Sequence, residues 1–371
     1  MERTHITIIG AGVIGLAVAR LLAKDRQHII VLERNGTFGQ ETSSRNSEVV
    51  HAGLYYPRTS LKSDTCIRGK ELLYELCAER GIAHKKIGKL VVATGAQESE
   101  ALHTIYENAR ACGVTDCRFL TRTEIAAREP AIKVKEAFFS PDSGIIDTHG
   151  VMKNLYDEAR YLGVDFAYGV ETVGIERSRQ RYRIVATEPD GSDCTFESDL
   201  VINAAGLKAD AVAAMAGIDI EKHEYTIHFC KGQYFRIADP SKYPVTHLVY
   251  PPPTDYSLGI HIAPDLAGGL RLGPDAHYVD SIDHRVDPAA QKDFHLSVRT
   301  FLPTLKYDDL IQDTAGIRPK LQPEGGAFRD FVIKDEADIG YPGFIDLIGI
   351  ESPGFTAALA IAEMVRGFIG S

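Results

Sequence analysis

Ile6-Thr7-Ile8-Ile9 is a β-branched run of the kind that forms a central parallel strand, and it leads directly into Gly10-Ala11-Gly12-Val13-Ile14-Gly15. From Leu16 to Lys24 apolar residues recur at helical spacing with no Gly or Pro, so strand, turn and helix follow in the order of a βαβ unit. Each glycine has its own mechanical role. Gly10 makes the tight turn, Gly12 lets a pyrophosphate approach the backbone, and Gly15 lets the helix pack on the strand. A second apolar run, Ile29-Ile30-Val31-Leu32, ends at Glu33, an acid placed to bind ribose hydroxyls. Together these features predict an α/β fold with a Rossmann-like dinucleotide domain, its first helix pointing its N-terminus at the phosphates.

The next segment bears on which dinucleotide. Thr42-Ser43-Ser44-Arg45-Asn46-Ser47 is rich in hydroxyls and amides, as an extended cofactor with a ribityl chain and a second phosphate requires, so FAD is favoured over NAD. Composition narrows the partners. With 41 Lys+Arg against 51 Asp+Glu, a net charge of −10 and no basic run, nucleic acid is excluded. Six cysteines without a CxxC pair imply a reduced, cytoplasmic setting, and no His/Cys/Asp/Glu constellation suggests a metal. The amino terminus lacks the marks of a signal peptide, and no apolar run approaches the roughly 20 residues of a membrane span. Peripheral contact with the inner membrane face stays open.

The blocks Gly10 to Gly15, Glu33, Ser44-Arg45-Asn46-Ser47 and His51-Ala52-Gly53-Leu54-Tyr55-Tyr56 together resemble the D-amino-acid oxidase-like FAD superfamily, and within it the L-2-hydroxyglutarate dehydrogenases and oxidases. Lys89-Leu90-Val91-Val92-Ala93-Thr94, Leu200 to Leu207, Lys231 to Phe235, Leu258-Gly259-Ile260-His261, Ala315 to Arg318 and Ser352-Pro353-Gly354 continue the likeness in order. The chain departs from the subfamily's pattern at Glu48, at Lys320 where Gln is usual, and in a shortened stretch from His277 to Asp313. The resemblance implies a Rossmann-like FAD-binding domain with an inserted antiparallel-sheet substrate domain, α+β overall. The FAD domain is expected at 1–85, 145–222 and 330–371, and the substrate domain at 86–144 and 223–329. FAD contacts are implied from Gly10, Gly12, Ile14, Gly15, Glu33, Arg34, Ser43, Ser44, Arg45, Asn46, Ser47, His51, Ala52, Gly53, Val173, Ala205, Gly206, Arg318, Pro353, Gly354, Phe355 and Thr356. The backbone of Val173 would hold the adenine.

The implied reaction is oxidation of an L-2-hydroxy acid, a dicarboxylate such as L-2-hydroxyglutarate, with electrons passed to a quinone, a carrier protein or O₂. It needs a proton acceptor, a carboxylate clamp and donors toward the flavin pyrimidine. His51 and His261 are the candidate bases, because imidazole titrates near neutral pH. Arg318 is the candidate clamp, since guanidinium grips carboxylate bidentately, and Lys320, two residues on and on the same strand face, is the candidate for a second carboxylate, with a solvated strand end as its other reading. Tyr55 and Tyr234 are expected to line the pocket, Gly354 to open a helix toward the flavin, and Glu351 to lie at the surface. An amine oxidase of the glycine or sarcosine oxidase type, a glycerol-3-phosphate dehydrogenase-like enzyme and a flavin-binding protein without turnover remain alternatives. Tyr55 falls where the glycerol-3-phosphate enzymes carry a phosphate-binding Arg, which argues against a phosphorylated substrate.

Among the remaining elements, helices are expected from Ser60 to Arg80, Glu98 to Cys112, Glu124 to Glu129, Thr148 to Leu162, Val286 to Phe301 and Phe355 to Phe368. Asp165 to Val173 reads as one strand, Arg181 to Glu197 as a hairpin, Leu200 to Ala204 as a separate parallel strand, and His261 as a mid-strand residue of Tyr256 to Ala263.

Overall fold

The computed structural model describes residues 3–178, 181–253 and 259–370. The chain forms two compact units, one of Met1–Ser44, Thr148–Phe229 and Arg318–Ser371, the other of Arg45–Asp147 and Cys230–Ile317. Residues 45–85 thus group with the second unit rather than with the dinucleotide segment. Val49–Val50 pairs with Gly144–Ile145, and that hydrogen-bonded ladder ties the segment to the second unit.

The first unit is built on five parallel strands in the order Asp165–Tyr168, Ile29–Glu33, Arg3–Ile9, Asp193–Asn203 and Tyr341–Ile348, with Val332–Glu336 antiparallel at the edge. Ile6, Ile8, Val31, Val201, Ile202, Phe344 and Ile345 are all buried, which explains why these strands read as unbroken apolar runs. The helix Val13–Leu22 packs between Thr148–Tyr161 and Gly354–Ile369. Small residues, Ala17 and Ala19 on one helix and Ala357, Ala358, Ala360 and Ala362 on another, are buried there and let the backbones approach closely.

Two strand expectations are corrected. Asp165 to Val173 breaks at Gly169, whose φ of +72° is left-handed. Asp165–Tyr168 stays parallel to Ile29–Glu33, and Glu171–Ser178 turns away into an antiparallel pair with Arg181–Thr187. Conversely, Asp193–Asn203 is one strand and not a hairpin arm plus a separate strand. Its first half pairs with Arg181–Thr187 while its second half runs parallel to Arg3–Ile9, so a single strand serves both ladders.

The second unit carries a sheet ordered His277–Tyr278, His228–Ile237, Leu270–Leu272, Ile262–Pro264, Leu248–Tyr250, Lys89–Ala93, Glu136–Ser140 and Arg118–Phe119, with Leu310–Lys320 also on His228–Ile237. The determined pairs are antiparallel except Leu248–Tyr250 with Lys89–Ala93. Phe235 and Phe294, with ring centroids 4.7 Å apart, anchor a core that includes Leu90, Val92, Val249, Ile262 and Leu272. Leu61–Arg80 is a helix because Ser60 Oγ accepts from Ser63 N at its start and Gly81, at φ +65°, ends it. The helix expected from Val286 shrinks to Gln291–Arg299, since Pro288 opens a short 3₁₀ turn ahead of it. His261 precedes the strand Ile262–Pro264 instead of lying within one, and Tyr256 to Leu258 of that expected strand lie outside the described residues.

Candidate active site

In the first unit the dinucleotide turn is built on contacts that only glycine permits. At Gly10, with φ +105°, a Cβ would stand 2.5 Å from the Ala204 carbonyl oxygen, so the turns that end Arg3–Ile9 and Asp193–Asn203 abut. Gly15 meets the Gly10 carbonyl in the same way, which locks helix to strand. Gly12 differs: its added Cβ would meet only Ser43 Oγ, at 3.1 Å, so space is left in front of the turn. Ser43 Oγ accepts from Val13 N at 3.0 Å, while Leu16 N to Gly12 O is the first intrahelical bond of Val13–Leu22. The amides of Ile14 and Gly15 therefore head the helix without an intrahelical acceptor, as an anion site requires.

Glu33 closes its strand and is buried. Its Oε2 accepts from Ala11 N at 2.8 Å and its Oε1 from Asn35 N and Nδ2, each at 2.9 Å. These bonds fix the carboxylate at the lip of the turn; Oε1 is filled by its two Asn35 donors, and Oε2 keeps a second lone pair for a ribose hydroxyl. Arg34 bonds Glu41 at 2.8 Å. Val173 occupies the irregularity between Thr172 and Gly174, where the register with Arg181–Thr187 shifts. It is thus a bulge residue outside the regular ladder. Ala205 and Gly206 follow Asn203, a buried residue whose Nδ2 donates to Ala209 O and to Asp346 Oδ1, each at 2.7 Å. Asn203 Oδ1 accepts from Ala205 N, so one amide side chain shapes this turn. Burial holds the Asp346 carboxyl well above the usual range, against the pull of the Asn203 bond.

Gly354–Ile369 begins after Pro353, and Ala357 N to Pro353 O is its first intrahelical bond. The amides of Phe355 and Thr356 lie ahead of it. Arg318 is partly buried on the strand Leu310–Lys320. Lys320 and Glu351 are where expectation fails: both side chains are about 8% exposed and form an ion pair at 3.1 Å. Glu351 is therefore not a surface residue, nor is Lys320 a solvated strand end. The first unit as a whole fits a dinucleotide: glycine-only contacts, helix-head amides and a fixed acid line one strand end.

In the second unit, Arg45, Asn46 and Ser47 follow the short turn Thr42–Ser44. Arg45 Nε is buried without a hydrogen-bond partner, Asn46 Oδ1 accepts from Glu48 N, and Glu48 has φ +56°. Arg271 bonds Asn46 O and pairs with Asp313 at 2.7 Å, 4.0 Å from Glu48. Ala52 lies in the core and Gly53, at φ +88°, faces Ile67 of the helix Leu61–Arg80. His51 is buried, and its carbonyl accepts from Cys66 Sγ. Burial, and after it the Lys89 ammonium, holds the His51 imidazole down to about 3, so the ring is neutral at pH 7.

His261 is also buried, with Nδ1 3.3 Å from Gly259 O. A carbonyl only accepts, so Nδ1 carries the proton and Nε2 the lone pair of the neutral ring. Its imidazole stacks on Tyr250 with centroids 3.7 Å apart and planes 11° from parallel. The register explains this: Val249 pairs with Ile262 across an antiparallel ladder, which brings Tyr250 beside His261. Lys89 Nζ stands 3.8 Å from the Tyr250 ring centroid and 5.3 Å from that of Tyr55. Tyr55, whose hydroxyl is pushed up by burial, thus joins His51 and His261 in one cluster. Tyr234 is buried on His228–Ile237, with the Arg271 guanidinium 5.7 Å from its ring. Lys89 and Tyr250 are not singled out by sequence reasoning. The signal that could have found Lys89 is its strand parity, shared with the buried Val91 and Ala93.

The chain matches the FAD dependent oxidoreductase family over residues 5–366. It is 38% identical to the mitochondrial L-2-hydroxyglutarate dehydrogenase of Arabidopsis thaliana, across 98% of this chain and 83% of that protein. It is 30% identical to a glycerol 3-phosphate dehydrogenase of Caloramator mitchellensis, across 97% of this chain and 72% of that one. Among solved structures, dithionite-reduced L-alpha-glycerophosphate oxidase from Mycoplasma pneumoniae with FAD bound superposes with a TM-score of 0.89 at 27% identity, covering 100% of this chain and 96% of that one. With the dinucleotide turn and the match over nearly its whole length, the chain belongs to the FAD-dependent oxidoreductases of the D-amino-acid oxidase type.

Proposed function

We propose that this enzyme oxidises the carbinol carbon of an L-2-hydroxy acid, a dicarboxylate of the 2-hydroxyglutarate class, to the 2-oxo acid. The observation that carries the reading is the 38% identity to an L-2-hydroxyglutarate dehydrogenase across nearly the whole chain. Bound FAD supplies the two-electron acceptor that takes the hydride from Cα. Gly10, Gly12, Ile14, Gly15, Glu33 and Ser43 are assigned to its adenosine and pyrophosphate, Val173 to its adenine, Ala205 and Gly206 to a further FAD-contacting turn, and Phe355 and Thr356 amides to its pyrimidine. Arg34, Ser44, Arg45, Asn46, Ser47, His51, Ala52, Gly53, Arg318, Pro353 and Gly354 complete the assignment.

Loss of hydride leaves the hydroxyl proton to be removed, and a neutral imidazole must accept it. His51 and His261 are assigned that role: burial keeps the first ring unprotonated, and the Nδ1 bond of the second presents a lone pair on Nε2. An imidazole held near 3 does not deprotonate a resting alcohol at pH 7; it takes the proton only as the C–H bond breaks and the hydroxyl becomes acidic. Arg318 is assigned to the substrate carboxylate, where the guanidinium fork fixes the hydroxyl-bearing carbon. Tyr55 and Tyr234 are assigned to the pocket wall. Lys320 is held by Glu351, so its charge serves the unit in which it sits.

A second reading, oxidation of a glycerol phosphate, draws on the Caloramator relative and the Mycoplasma oxidase. A phosphate dianion needs clustered cations, and the resemblance sets Tyr55 where the glycerol-3-phosphate dehydrogenase family has its phosphate-binding arginine. Anaerobic mixing with L-2-hydroxyglutarate, L-lactate, L-malate, glycerol-3-phosphate and sarcosine, followed at the flavin band, separates the readings. Bleaching by the dicarboxylates supports the proposal; bleaching by glycerol-3-phosphate or sarcosine alone overturns it.

A further inference from the structure

Beyond its effect on His51, Lys89 holds an unusual position. It opens the strand Lys89–Ala93, is fully buried, and its Nζ has no hydrogen-bond partner among the described residues. A buried lysine normally meets a carboxylate or several carbonyls, because an unpaired ammonium in apolar surroundings is costly. Here the ammonium rests on the Tyr250 ring, 3.8 Å from its centroid, while the His261 imidazole lies parallel to that ring at 3.7 Å. One face cannot hold both groups at those distances. Ammonium and imidazole therefore take opposite faces, at most about 7.5 Å apart with an aromatic ring between them.

The geometry points to Lys89 as a positioning residue: its buried ammonium, set across Tyr250 from His261, keeps that imidazole neutral and its Nε2 lone pair ready for the substrate proton. The inference rests on His261 as a proton acceptor. A proton added to His261 would place a second cation on the other face of Tyr250. At about 7.5 Å in a partly screened interior, this repulsion lowers proton affinity roughly tenfold or more. The same repulsion returns the proton to solvent after the reaction and resets the base.

The groups around Lys89 suit this role. From the helix Leu61–Arg80 come Cys66 and, beyond it, Lys70; Cys117 precedes the strand Arg118–Phe119; Tyr55, Tyr56 and Tyr234 surround Tyr250. The thiols of Cys66 and Cys117 and the phenols of Tyr55 and Tyr250 are all pushed up by burial, Cys66 to about 12, so they stay neutral and do not quench the ammonium. Burial draws Lys89 itself down to about 7. Its charge is thus complete in the acidic range, where an ordinary imidazole would protonate, and fades where imidazole is neutral unaided.

The test compares the FAD-loaded wild type with Lys89→Met and Lys89→Arg, each labelled at histidine and followed by NMR, with the His261 signal assigned through His261→Gln. In Lys89→Met, His261 should become about tenfold easier to protonate, its titration moving up by about one pH unit, while Lys89→Arg should keep the wild-type behaviour. Where a substrate reduces the flavin, the acidic limb of the rate profile should move upward by the same amount. A His261 titration that is unchanged in Lys89→Met, or a ring neutral down to about pH 4.5 in both proteins, overturns the proposal. So does a Lys89→Met protein that fails to fold while Lys89→Arg folds, since the ammonium would then be structural. The NMR readout needs no turnover, so a shifted His261 in a protein that no hydroxy acid reduces would uphold the role of Lys89 and remove the functional reading instead.

Discussion

Glu351→Gln should destabilise the protein through Lys320. The two side chains are each about 8% exposed and meet at 3.1 Å, so neutralising the acid strands a buried ammonium beside an amide. Breaking such a pair from one side costs about 3–5 kcal/mol when burial is complete, and the residual exposure of both side chains favours the lower figure, about 3 kcal/mol. Unfolding entropy of roughly 2.1 cal/mol/K per residue gives about 0.8 kcal/mol/K for a chain of this size, so the melting temperature should fall by about 4 °C. The pair is not itself a large source of stability, because both ions give up hydration to form it. Lys320→Met with Glu351→Gln should therefore recover most of the loss, to within about 1 kcal/mol of wild type. Far-ultraviolet circular dichroism and flavin fluorescence, recorded on the same melts, report both folding and cofactor release. A single variant that melts with the wild type would refute the buried pair, and a double variant as weak as the single would refute the stranded-charge argument.

His261→Ala should leave FAD bound and slow flavin reduction by about 10²-fold or more in stopped flow, and an unchanged rate would remove it from proton transfer. Arg318→Lys should raise KM about tenfold through loss of the bidentate fork, with equal KM refuting the clamp. Gly12→Ala should fold with the wild-type melting temperature of the apoprotein, since the added carbon meets only Ser43 Oγ, yet bind FAD more weakly by equilibrium dialysis; undiminished affinity would move the pyrophosphate elsewhere. Asp346, whose carboxyl is raised by burial, favours the folded state in its protonated form, so the stability it gives is present at low pH and lost as pH rises through its folded value. Asp346→Asn, which keeps a neutral partner for Asn203, should flatten the fall in melting temperature as pH rises above the ordinary carboxylate range, and parallel curves for the two proteins would contradict that sign.

The features legible in the sequence are those whose chemistry is local. Gly10, Gly12 and Gly15 announce a turn because each acts within one strand–helix step, and Glu33 ends its strand where the acid is needed. The features that were not legible depend on pairing. Asp193–Asn203 serves two ladders at once, and nothing between Glu197 and Leu200 distinguishes a continued strand from a break. Lys320 and Glu351 are 31 residues apart, and only the pairing of their charges reveals that neither is exposed. Tyr250 and His261 become neighbours only when Val249 is set opposite Ile262, and Lys89 joins them only because Leu248–Tyr250 lies parallel to its own strand. A sequence can thus nominate His261 for its imidazole, but the contacts that set the ring, a carbonyl at Nδ1 and an aromatic face, are brought to it only by the fold.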